Sequence, residues 1–209
     1  MSELLLFPLG QYLGAVHPGQ GLPVRHHQVR IGSDVHPLDD GSELDVWALA
    51  HGHPAVVGLR PATRGLLEAL AAEVGLRSAE RVVDQLLDRG LLVQVEPGSA
   101  AAETFARGHR WYSLLTGLGE SSPSRAGIGL LGAPPVRDLP AAVFEYWTWA
   151  HLFPDLHSAA AGLAEMAAGT PGEPAVATDA DEVLQDLLGS LHELLCVNGG
   201  FLDVAGAAR

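Results

Sequence analysis

Trp47-Ala48-Leu49-Ala50-His51 recurs one hundred positions later as Trp147-Thr148-Trp149-Ala150-His151. The same shift relates Tyr12 to Tyr112, Pro23 to Pro123 and Pro54 to Pro154. Further along, Gly65-Leu66-Leu67-Glu68 resembles Gly162-Leu163-Ala164-Glu165, and Val82, Leu86 and Leu87 correspond to Val183, Leu187 and Leu188. Small changes of offset are what insertions and deletions in loops leave behind. Matches that keep one order along a whole unit point to an internal duplication. The chain therefore reads as two modules, 1–97 and 105–206, joined by a linker over 98–104.

Working outward from Trp47, the first unit resolves into elements. Residues 11–16 read as a strand ending at the turn-rich His17-Pro18-Gly19-Gln20-Gly21. The alternation of Val29 and Ile31 with Gln28 and Arg30 predicts a half-buried strand over 27–35. Asp39-Asp40-Gly41-Ser42 supplies cap chemistry for a helix through Trp47 to His51, with Leu44, Trp47, Ala48 and His51 on one face. A second helix starts after Pro61 and runs to Gly75. A third, capped by Ser78, runs from Glu80 to Arg89 and stops at Gly90. Residues 91–95 form a closing strand, and Glu96 to Ala102 read as linker.

The second unit follows the same order. A strand is expected over 110–116, a loop over 117–124, a short apolar strand over 126–131, and helices over 140–153, 157–168 and 179–196. Phe201-Leu202-Asp203-Val204 closes it. The expected fold class is α+β and helix-rich, with two tandem winged-helix-like modules, each strand, strand, three helices, strand.

The passage Val29-Arg30-Ile31-Gly32, Val35-His36-Pro37-Leu38-Asp39 and Val46 to Gly52, closed by Leu86-Leu87-Asp88-Arg89-Gly90-Leu91-Leu92, resembles the peptide-chaperone family of pyrroloquinoline-quinone biosynthesis. That family is the prototype of the RiPP recognition element, which serves enzymes that modify ribosomally made peptides. The resemblance covers about 70 residues of the first unit. The connection from Gly52 to Arg60 and Pro61 departs from the compact pattern. The resemblance implies a leader peptide bound as an added strand between the third helix and a sheet edge, by main-chain hydrogen bonds with side-chain pockets for specificity.

Composition narrows the partners. Twenty-five acidic residues stand against twelve basic ones, every basic residue is arginine, and the net charge is −13. From Asp138 to Ala208 there are eleven Asp and Glu and no Arg or Lys. Such a surface repels phosphate backbones, so the second unit should be a poor DNA binder. No apolar run approaches the ~20 residues of a membrane span. The opening Met1 to Pro8 lacks a basic stretch, so no signal peptide is expected. One cysteine, Cys196, has no partner in the chain, which suits a reducing cytoplasm.

The chemical readings are weak. His51 and His53, near His26, His27 and His36, invite a metal, yet His51 lies on an apolar helix face and Phe153 replaces His53 in the second unit. Cys196 sits in an acidic, apolar helix, where a thiol stays protonated. No nucleophile elbow, phosphate loop or dinucleotide fingerprint occurs. Asp39-Asp40 and Asp181-Glu182 stand at helix starts, where the macrodipole accounts for them. Trp47 and Trp147 read as core, and Trp149 as an exposed interface anchor.

The chain thus reads as a non-catalytic adaptor with no metal and no cofactor. The first unit would hold a peptide or a modifying enzyme, and the second would serve as a docking or dimer surface. The candidate binding residues are Gln28, Arg30, Arg77, Arg81, Gln85, Arg89 and Trp149. Arg77, Arg81 and Arg89 also sustain an alternative, a winged-helix regulator reading DNA through its third helix.

Overall fold

The computed structural model describes residues 3–39, 41–170 and 175–206. It is a mixed α/β structure of seven α-helices and four small antiparallel sheets among the described residues. Asp40, expected in the first helix cap, lies outside them.

The chain opens with β1 (Leu5–Pro8), β2 (Gln11–Val16), β3 (His26–Ile31) and β4 (Asp34–Leu38). Three helices follow, α1 (Gly41–Leu49), α2 (Arg64–Glu73) and α3 (Ala79–Asp88), and then β5 (Leu92–Val95). Strands β2, β3 and β4 form a meander, while β5 returns to pair with β1, Leu5 opposite Val95. After α4 (Ala100–Gly108) the same order recurs. Strand β6 (His109–Ser113) is followed by the meander β7 (Thr116–Ser122), β8 (Arg125–Gly129) and β9 (Arg137–Pro140). Helix α5 (Ala141–Trp149) runs into a 3-10 turn (Ala150–Leu152), then α6 (Leu156–Ala168), α7 (Ala180–Leu195) and β10 (Gly200–Val204), which pairs with β6.

The two halves agree in detail. Leu9 N–H donates to the Leu91 carbonyl as β1 ends, and Leu114 N–H to the Gly199 carbonyl as β6 ends. Each meander has a register shift in its first strand, with a glycine at positive φ there, Gly14 at 116° and Gly119 at 86°. Only glycine takes that conformation without strain. Trp47 and Trp147 are buried on the first helix of each half, and Val82 and Val183 on the third.

Several expectations need correction. The strand expected over 27–35 is a hairpin, because Gly32 at φ 58° reverses the chain between β3 and β4. The strand over 110–116 divides into β6 and the start of β7, and the loop over 117–124 belongs largely to β7. The linker over 98–104 begins a helix, with Ser99 Oγ capping Ala102 N–H at 3.1 Å. Ser78 makes no side-chain cap, whereas Thr63 accepts from Leu66 N–H at 3.2 Å and starts α2. Tyr12 and Tyr112 are not counterparts, since Tyr12 lies on β2 and Tyr112 on β6.

β1 holds the two halves together. Leu6 points into a core with Val29, Leu38, Trp47 and Leu86. Leu5 and Phe7 point the other way, into a core with Trp111, Tyr146, Leu188 and Leu195. The Phe7 ring stacks on Phe105 at 5.7 Å and on His192 at 4.9 Å, and His192 Nε2 donates to the Leu6 carbonyl at 2.9 Å. A second tie lies at fully buried Asp203, which accepts from Gly32 N–H at 2.6 Å and from Arg30 Nη1 at 3.0 Å. Gly10 N–H adds a bond to the Leu202 carbonyl at 2.8 Å.

Because Phe7 is shared, Phe7→Ala should lower the unfolding free energy by about 3–5 kcal/mol, the usual range for emptying a buried aromatic site. Urea titrations followed by near-ultraviolet circular dichroism and by tryptophan fluorescence should give one coincident transition. Two separate transitions, or a loss under ~1 kcal/mol, would show that the cores stand apart.

Candidate functional site

Where β2, α1 and the α7–β10 corner meet, they leave a cleft of about 550 Å³. One wall is α1, contributing Leu44, Trp47 and Ala48, with His51 in the turn after it, and the start of β2 with Tyr12. The other is the end of α7 and the start of β10, with Leu195, Cys196 and Phe201, and Leu114 joins them. The lining is mainly apolar. Tyr12 and Leu114 remain 42% and 49% exposed.

Each wall is held by local chemistry. Trp47 packs inward with Val46 on the buried side of α1 and Ala50 just beyond it, and its Nε1 donates to the Leu9 carbonyl at 3.2 Å. The Tyr12 hydroxyl hydrogen-bonds His27 Nδ1 at 2.7 Å, and its ring lies 6.5 Å from that of Trp47. His51 Nδ1 donates to the Trp47 carbonyl at 3.0 Å, with the ring edge-on to Trp47 at 4.4 Å. Phe201 stacks on Tyr112 at 5.0 Å. The cleft is thus an aromatic-lined slot, with Gln11, Asp45 and Asn198 as its polar members, suited to an apolar side chain.

The titratable groups are tuned by burial. His51 and His192 are both held down to about 4, because desolvation disfavours the imidazolium more than their carbonyl bonds favour it. Burial also pushes the Cys196 thiol up from its ordinary range. A protonated thiol is a poor nucleophile. Among the described residues, no three His, Cys, Asp or Glu side chains gather as metal ligands.

The residues singled out in the sequence do not assemble into one groove. Gln28 and Arg30 lie on β3, the central strand, with β2 and β4 on either side, so no peptide strand can add there. Gln28 Nε2 reaches only its neighbour His26 Nε2, at 3.3 Å. Arg30 is taken up by Asp203, by the Gly32 carbonyl at 2.6 Å and by Gln11 Oε1 at 3.2 Å. Arg89 is clamped under α3 by Glu43 at 2.9 Å and by the Pro37 carbonyl. That leaves Arg81 and Gln85, bonded to each other at 2.9 Å on the exposed side of α3, and exposed Arg77 before the helix begins.

Trp149 stands apart from these. It is 39% exposed, its Nε1 donates to Glu145 at 2.7 Å, and it borders a shallow hollow with Leu163, Met166 and Val176. Sequence reasoning placed Trp47 and His51 in the core and so missed that their outer edges line a cleft.

No protein-family model matches this chain, and neither a curated protein nor a solved structure matches it.

The buried histidines set a pH dependence. In the unfolded chain they take up protons near pH 6.5, whereas in the fold they resist until about 4. Protonation therefore favours the unfolded state, so stability is full above pH 6.5 and is lost as pH falls from 6.5 toward 4. At pH 5 the His192 contribution should be smaller by about 2 kcal/mol. Urea midpoints at pH 7 and pH 5 check this. His192→Gln should flatten the dependence, and an unchanged slope in that variant would assign it to other groups.

Proposed function

We propose that this chain is a non-catalytic binding protein built from two winged-helix-like units related by duplication. In this reading the cleft between them takes an apolar segment of a peptide or of a partner enzyme. The observation that carries it is the slot itself. About 550 Å³ of mainly apolar space opens between the halves, with Tyr12 and Leu114 at 42% and 49% exposure along it. An aromatic-lined slot of this size suits a large apolar anchor, the kind of residue that concentrates binding energy.

The edge of β2 adds a second element. β2 is the outer strand of its meander, its start lines the cleft, and Leu13 on it is exposed. A segment anchored in the slot can continue along that edge as an added strand, the binding mode that the recognition-element resemblance implies. The groove beside α3 is less suitable. There the nearby strand β4 contains Pro37, which lacks an N–H, and Arg89 already occupies the Pro37 carbonyl.

The regulator reading has narrower support. Arg77 and Arg81 are exposed, but Arg89 is paired with Glu43 and Arg64 with Glu68 and Asp84. Two exposed guanidiniums beside α3, in a chain of net charge −13, supply little of the counterion release that drives binding to duplex DNA.

Selection from a random peptide display library should return ligands with a large apolar residue. Ala48→Arg places a long cation at an exposed position on the cleft wall and should abolish their binding, with the melting temperature nearly unchanged. Arg81→Glu should leave binding within about twofold, since surface charges outside an interface contribute little. The opposite pattern, loss in Arg81→Glu and retention in Ala48→Arg, would place the site on α3. Salt-sensitive gel retardation of duplex DNA would support the regulator.

A further inference from the structure

Arg110 lies on β6 with 8% of its surface exposed. Among the described residues it forms no ion pair, although five other arginines do. Asp203 is its cross-strand neighbour in the β6–β10 ladder, yet that carboxylate is already engaged. Its Oδ1 accepts from Gly32 N–H at 2.6 Å and Val204 N–H at 2.9 Å, and its Oδ2 from Arg30 at 3.0 Å. The Arg110 guanidinium donates from Nη2 to the His151 carbonyl at 3.2 Å and stands 4.6 Å over the Tyr112 ring. Its Nε is buried without an acceptor among the described residues, and His151 Nδ1 is likewise buried without a partner there. The two orphaned atoms belong to residues joined by that one hydrogen bond.

A buried cation without a counter-charge is costly, and folded chains pair such groups or neutralise them. Arginine cannot be neutralised, and its planar fork of N–H donors matches the two oxygens of a carboxylate. In the β6–β10 ladder Arg110 stands opposite Asp203, whose carboxylate is engaged by the Arg30 guanidinium and not by that of Arg110. This corner thus holds a local positive excess inside a protein of net charge −13.

We propose that Arg110 and His151 form a carboxylate-binding site. The guanidinium carries the charge recognition, the His151 ring nitrogen adds one hydrogen bond, and Tyr112 forms the apolar floor. The carboxylate can belong to a free small acid or to the C-terminus of a peptide. The site stands whether or not the cleft takes a peptide. The stacked Tyr112–Phe201 pair nevertheless connects the two, because Phe201 lines the cleft. From Leu114 to Arg110 is four strand positions, about 13 Å, the reach of roughly four residues of extended chain.

The test uses the whole chain. Sodium acetate is titrated at pH 7 against sodium chloride of equal ionic strength, with melting temperature and calorimetric heat as readouts. Acetate should raise the melting temperature saturably in the wild type. Arg110→Gln should weaken that affinity about tenfold or more, the scale of one charge-assisted hydrogen bond. His151→Ala, which keeps the guanidinium, should weaken it less, and it carries the test alone if Arg110→Gln fails to fold. No difference between acetate and chloride in the wild type, or an acetate response unchanged in the variants, overturns the proposal. Gly-Gly-Leu as free acid and as amide separates the two sources. Tighter binding of the acid than of acetate, lost in the amide, identifies a peptide terminus, whereas acid and acetate of equal affinity identify a free small acid.

Discussion

Four residues, Leu5 to Pro8, are buried on both faces, and the rest of the structure is arranged around that double burial. A strand covered on both sides must have a partner on each, and here each half of the chain supplies one. Leu6 belongs to the first core, Leu5 and Phe7 to the second; β5 pairs one edge of the strand, and on the other Leu6 N–H donates to the Ala62 carbonyl at 2.8 Å. His192 fits into this layer because its ring can donate to the Leu6 carbonyl while stacking on Phe7. Its neutral form follows from that position, since charging it would place an imidazolium between two apolar cores.

The same double burial explains what the sequence concealed. Alternation of polar and apolar residues marks strands with one wet face, and β3 was visible through it in Val29, Arg30 and Ile31. A strand with no wet face shows only a short apolar run, and Leu4-Leu5-Leu6-Phe7 has no period to separate it from an N-terminal apolar stretch. The helices were legible because their buried positions recur at helical spacing, as in Val82, Val83 and Leu86. Most of β7 reads as a loop in the sequence because Gly117 to Ser122 is mostly exposed and polar. Its pairing comes from β8 and not from its own composition.

The candidate site was less legible than the fold, for a related reason. An arginine alternating with apolar residues signals an outward side chain but not what lies beyond it. Arg30 points outward from its own meander and inward toward Asp203, 173 positions later. Arg89 likewise meets Glu43, 46 positions earlier. Residues read as free from local pattern were therefore held by distant carboxylates. Tyr12, Ala48 and Leu195, unremarkable in sequence, face one another only because the two halves meet at β1.

The two halves also differ in a way that bears on what each does. α3 has 10 residues and α7 has 16. The added turns of α7 bring Leu191, His192, Leu194 and Leu195, all buried, and this extension covers the second face of β1. Helix α3 has no such extension, ends at Asp88, and leaves its outer side to Arg81 and Gln85. The longer helix thus has a structural cause in the contact between the halves. The same extension places Leu195 and Cys196 opposite Trp47 and His51, so the contact that joins the halves also builds the far wall of the cleft. Shortening α7 to the length of α3 would remove the cover of β1 and that wall together. Stability and the shape of the candidate site are therefore coupled through one helix.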